Sequence, residues 1–134
     1  MNQPPVISPE LISAWIKIQH AGAESEIADQ LWWAWEEVFF FSQKNPEHTF
    51  AFILATLRED SSNKIMANLS AGPLEDLIEN FGESMIEKIE QEAKTNPLFA
   101  SLLGGVWQGS TPDEIWSRVT AAWDRRGWDG LPDE

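Results

Sequence analysis

The sequence predicts an all-α protein of about seven or eight short helices. Three observations lead there. Apolar residues recur at i, i+3, i+4 and i+7 between clear breaks. No run of strict apolar–polar alternation is long enough for a strand, and β-branched residues are sparse between the breaks. A polar cap followed by proline recurs at Ser8-Pro9-Glu10, Asn45-Pro46-Glu47 and Asn96-Pro97, and a related signature at Thr111-Pro112-Asp113-Glu114. Proline suits the first helical position, where its missing N–H would have no partner anyway.

Residues 1–7 read as an irregular arm. The first helix starts at Ser8-Pro9, carries Leu11, Trp15 and Ile18 inward with Ile12 and Ile16, and ends near Gly22. The second spans Glu24 to Gln43. Its predicted inner face is Ile27, Leu31, Ala34, Trp35 and Val38, extended by Trp32, Phe39 and Phe41. A helix this apolar all round is expected at the centre of its domain. The third runs from Pro46 to about Arg58 with Phe50, Ile53, Leu54 and Leu57 inward, and a short fourth from Ser62 to Ala71. Gly72-Pro73 is expected to close one helix and open the next. That fifth helix, Pro73 to Phe81, is expected to stop at Gly82. A sixth continues from Glu83 to about Thr95, a short seventh covers Leu98 to Leu103, and Gly104-Gly105 breaks the chain. The last begins after Thr111 with Ile115, Trp116, Val119, Ala122 and Trp123 inward, reaches Arg125 and Arg126, and ends at Gly127; residues 128–134 read as a second arm. Tight joints between short helices suggest antiparallel pairs stacked as in an armadillo-like α-solenoid, with an irregular bundle as the alternative. The repeated Asn-Pro joint hints at a repeat of about fifty residues.

The 134 residues suit one domain, 1–134, large enough to hold a core without metal or disulfide staples. Cysteine is absent, which removes thiolate metal sites, disulfides and cysteine nucleophiles. The N-terminal stretch has neither the basic region nor the apolar run of a secretory signal, and the reading is a cytoplasmic chain. The most apolar stretch, Leu31 to Phe41, is too short for a membrane span and has Glu36 and Glu37 at its centre. The net charge of −13 argues against nucleic acid and against anionic membrane surfaces. It suits a basic protein partner.

The stretch from Leu69 to Trp107 has the most distinctive punctuation. Ala71-Gly72-Pro73-Leu74-Glu75-Asp76-Leu77-Ile78, Gly82, Ile86, Ile89-Glu90, Ala93, Asn96-Pro97, Phe99, Leu102 and Val106-Trp107 resemble the pattern of an uncharacterised bacterial domain-of-unknown-function family. The resemblance covers a third to a half of the chain. It implies an all-helical fold with armadillo-like stacking, and it brings no catalytic residue and no cofactor with it.

Two groups of residues are candidates for function. Glu75, Asp76 and Glu79 neighbour one another at i, i+3 and i+4, a spacing at which carboxylates could bind a cation or share a proton. The helix dipole also explains acids in a first turn. The second group is Trp33, Glu36, Glu37 and Phe40, on the side of the second helix away from its predicted inner face. A second layer of helices is expected to cover the two rings. Left uncovered, aromatics beside acids would suit a partner presenting Arg or Lys among apolar groups. His20 and His48 have no nucleophile and orienting group that spacing can assign, and no phosphate-loop, zinc-helix or nucleophile-elbow motif occurs. The leading expectation is a small acidic, non-catalytic interaction module of immunity or adaptor type. The alternative is a metal-binding or hydrolytic protein using Glu75, Asp76 and Glu79.

Overall fold

A computed structural model describes residues 5–123. Their regular structure is entirely helical, with no strand among them. The helices are α1 (Pro9–Ala21), α2 (Glu26–Lys44), α3 (Pro46–Glu59), α4 (Asn63–Leu69), α5 (Glu75–Thr95), α6 (Pro97–Leu102) and α7 (Asp113–Ala122). A π turn, Ser70–Leu74, joins α4 to α5 without a break, and a 3-10 turn, Leu103–Gly105, extends α6. The described chain therefore makes six continuous helical stretches, slightly fewer than expected.

Where helix starts are dictated locally, they fall where the sequence places them. The Ser8 hydroxyl accepts from the Glu10 and Leu11 N–H groups. Asn45 Oδ1 accepts from His48 N–H and Asn96 Oδ1 from Phe99 N–H, each with proline at the first helical position. Ser25, one residue later than the expected start, caps α2 through Ala28 N–H. The α2–α3 joint is further locked by Thr49, whose buried hydroxyl reaches the carbonyls of Phe41 and Asn45. Pro5 to Ser8 are non-helical as expected, but Ile7 is buried with the core instead of hanging free in an arm.

Gly72-Pro73 does not break the chain. Proline inside an α-helix lacks a donor and pushes its ring against the carbonyl four residues back. Here the turn widens by one residue, so the Glu75 N–H reaches back to Ser70 O, and the ring is accommodated in the looser turn. Ser70 pins the widened turn from inside by donating to Leu102 O at 2.7 Å. Gly82 does not end the helix either. The backbone leaves helical values at Phe81 (φ −134°, ψ 18°) and resumes directly, giving a kink. Gly82 is buried there because α7 approaches closely: a Cβ on it would lie 2.9 Å from the Ile115 side chain.

The expectation that α2 is central is overturned. The centre is α3, which packs against α1, α2, α4, the π turn, α5 and α6. Its Phe52 and Ile53 are fully enclosed. A solenoid restricts each helical pair to its neighbours in sequence, whereas this many-sided contact makes an irregular bundle. α2 lies on the outside, against α1, α3, α5 and the π turn. α7 packs on α5 and ends at Ala122, with Trp123 extended. The expected continuation through Arg125 and Arg126 to Gly127, and the arm 128–134, lie outside the described residues.

Candidate functional site

The inner face of α2 is Ala28, Ala34, Val38, Phe41 and Ser42, with Leu31 and Trp32 partly buried beside it. This is a rotation from the predicted face, and side-chain size explains it. α1 and α3 come close to α2 where its residues are small or compact, so the bulky rings are turned to the flank. Ile27, Trp35 and Phe39, read from hydrophobicity as inward, are exposed.

Trp33, Glu36, Glu37 and Phe40 follow at i, i+3, i+4 and i+7, and the structure puts all four on the uncovered side. Among the described residues no second layer of helices covers them: Trp33 is 46% exposed and Phe40 65%. Beside them runs a ladder of rings. Trp32 stacks on Trp35 with centroids 4.7 Å apart and planes at 11°, and Trp35 stacks on Phe39 at 5.2 Å and 5°. Such stacking orders exposed rings at low cost in side-chain entropy, because each ring limits its neighbour's rotamers. Between the ladder and the Trp33–Phe40 stripe lies an open depression of ≈ 630 Å³, bordered by Glu36, Glu37, Gln43 and Lys44. Sequence reasoning found the stripe and missed the ladder. The signal was present: Ala28, Ala34 and Ser42 mark the close-packed side, which leaves Trp35 and Phe39 off it.

The three carboxylates of α5 do not converge. Glu75 Oε1 accepts from the Trp107 N–H at 3.1 Å. Asp76 Oδ2 accepts from Gln43 Nε2 at 3.2 Å, across from α2. Glu79 lies against the loop at Gly109, where a Cβ would come within 2.5 Å of its Oε2. Among the described residues no three His, Asp or Glu side chains are placed to hold a metal ion. His20 and His48 make other contacts: His20 Nε2 sits 2.8 Å from Asp60 Oδ2, tying the end of α1 to the end of α3, and His48 lies edge-on to Phe41.

Asp76 is the unusual member. Burial raises its carboxyl above the ordinary value, the charges of Glu75 and Glu79 raise it further, and the Gln43 hydrogen bond only partly offsets them. No cation pairs with it among the described residues. A carboxyl with a raised folded-state pKa keeps its proton to higher pH when folded than when unfolded. The folded state is then favoured at low pH, and this advantage is lost as pH rises through the raised value. Asp76→Asn removes that loss. The variant is expected to melt above the parent at pH 7, with the difference disappearing below the ordinary carboxyl value of 3.8. Thermal melts at both pH values check this, and a variant that melts lower than the parent at pH 7 contradicts it.

The pattern from Ala71 to Trp107 is part of a longer likeness. The model of a family of unknown function, DUF6869, matches residues 21–127. The chain belongs to DUF6869. The match takes in α2 and α3 as well as the stretch that carries the sequence pattern, so both the aromatic face and the α5 carboxylates of this DUF6869 chain lie within it. Comparisons with curated proteins and with solved structures find no match. The described helices of this DUF6869 domain include none long and apolar enough to cross a membrane.

Proposed function

We propose that this protein is a non-catalytic interaction module, of adaptor or immunity type, whose outer α2 face binds another protein through a basic, partly apolar surface. One observation carries the reading. Eight large apolar side chains are exposed among the described residues, and five of them, Ile27, Trp33, Trp35, Phe39 and Phe40, sit on this single helix. Scattered exposed apolar residues need no explanation, but a contiguous patch of rings does. Covering the part of each ring that is still exposed is worth about 1 kcal/mol.

Charge selects the occupant. α2 carries Glu26, Asp29, Glu36 and Glu37 against Lys44 alone, and the whole chain is at −13. A second copy would set Glu36 and Glu37 against their own kind, whereas a basic partner neutralises them and is steered in by the field. The alternative of a metal or hydrolytic centre at Glu75, Asp76 and Glu79 has less support, because each carboxylate is directed to a different neighbour.

The test compares baits. Proteins retained by the parent chain but released by a Glu36→Gln/Glu37→Gln variant are purified singly and titrated back. A basic partner whose association rate falls steeply between about 0.05 and 0.5 M salt is the expected result. A partner set unchanged by the two substitutions, or a self-associated parent chain in light scattering, overturns the reading.

A further inference from the structure

The aromatic ladder has a second side. Trp35 and Phe39 also wall a cavity of ≈ 240 Å³ that runs inward between α1, α2 and the π turn. Trp15 and Pro73 also line it, a Cβ on Gly72 would meet open space, and Asp76, Ser42 and the mutually hydrogen-bonded Gln19 and Asn68 supply its polar atoms. This volume lies below the usual range of small-molecule sites, about 300–1,000 Å³, and admits a single side chain.

The polar atoms define what kind of side chain. Ser42 is 1% exposed, and its hydroxyl has no hydrogen-bond partner, which is costly inside a protein. Asp76 is partly buried with no cation paired to it among the described residues, and Glu75 and Glu79 deepen the negative field around it. An anion would be repelled, and an apolar group would leave the Ser42 hydroxyl unpaired and the Asp76 carboxylate with Gln43 alone. A compact ammonium would meet Asp76 but is strongly hydrated and gains little from flat ring faces. A guanidinium is planar, stacks on aromatic faces and offers several donors at once, one set for a carboxylate and others for a hydroxyl.

We propose that this cavity is a receptor for one arginine side chain of the partner protein, packed against Phe39 and the edge of Trp35 and paired with Asp76. This rests on the reading of α2 as a partner-binding face, because the same two rings border both the outer depression and the cavity. The arginine is then the anchor that sets the partner's register, with the Trp33–Phe40 stripe covered beside it.

The experiment uses the isotope-labelled full chain and two probes, N-acetyl-arginine amide and N-acetyl-lysine amide, with amide and indole shifts read by NMR. Saturable shifts centred on the Trp15 and Trp35 indoles and on the Gly72 and Asp76 amides are expected with the arginine probe. The lysine probe is expected to bind at least about threefold more weakly. Asp76→Asn, whose fold is verified in the same spectra, is expected to weaken arginine binding at least about tenfold. Trp33→Ala/Phe40→Ala leaves the cavity intact and is expected to bind the arginine probe as the parent does. Shifts that do not saturate by about 100 mM, that survive Asp76→Asn unchanged, or that centre on Glu36 and Glu37 overturn the receptor. The two readings fail separately. An arginine probe that binds the cavity supports the receptor even if outer-face substitutions spare the partner. Loss of partner binding on outer-face substitution, with no arginine shift at the cavity, overturns the receptor alone.

Discussion

Phe52→Ala is expected to cost about 3–5 kcal/mol of folding stability. Phe52 is fully enclosed on the central helix α3. It meets Trp15 of α1 edge-on at 5.4 Å and Phe41 of α2 at 5.6 Å, so its ring holds three helices together. Truncation leaves a ring-sized void that α1 and α2 can close only by shifting against α3. Domains of this size are stable by about 5–15 kcal/mol in total, so the variant sits close to unfolding at ambient temperature. Chemical denaturation followed by tryptophan fluorescence checks this. A loss below about 1 kcal/mol would mean that the three-helix contact relaxes freely, contrary to the packing seen.

Trp33→Ala combined with Phe40→Ala is expected to do the opposite. Both rings are exposed and neither is part of the core, so stability should change by no more than about 1 kcal/mol. The cost falls on binding. Aromatic anchors at the middle of an interface are worth about 2 kcal/mol or more each, so the pair should weaken the partner complex by more than about a hundredfold. Calorimetric titration and thermal melts of the same variant separate the two effects. A variant that unfolds as a core truncation does would show that the face is structural. A variant that folds and still binds at parental affinity would show that the partner sits elsewhere.

What was legible in the sequence follows the range of the interactions. Caps are local, and Ser8, Asn45 and Asn96 each accept the hydrogen bonds their positions predict. Gly72-Pro73 was misread because a stop signal presumes an ordinary α turn. A π turn absorbs the proline, and Ser70 secures it through a contact 32 residues away. Gly82, next to the kink at Phe81, likewise answers a distant contact, because a side chain there would meet Ile115 of α7. The buried face of α2 is rotated from the one its pattern predicts, because periodicity reports apolarity and not how closely a neighbouring helix must approach. Trp33, Glu36, Glu37 and Phe40 were legible as a stripe, since helical spacing alone sets that. Whether anything covered the stripe depended on where α3 sits. The pairing of Gln43 with Asp76, 33 residues apart, had no sequence signal at all.

The claim that the outer face of α2 is a contact surface is tested most directly by hydroxyl-radical footprinting of the chain alone and bound to its partner. Trp107, at 78% exposure and not among the residues lining the α2 depression, is a built-in control. The account predicts that Trp33, Phe39 and Phe40 oxidise readily in the free chain and are protected in the complex, while Trp107 stays reactive. Protection of Trp107 with the α2 rings still oxidising would contradict it.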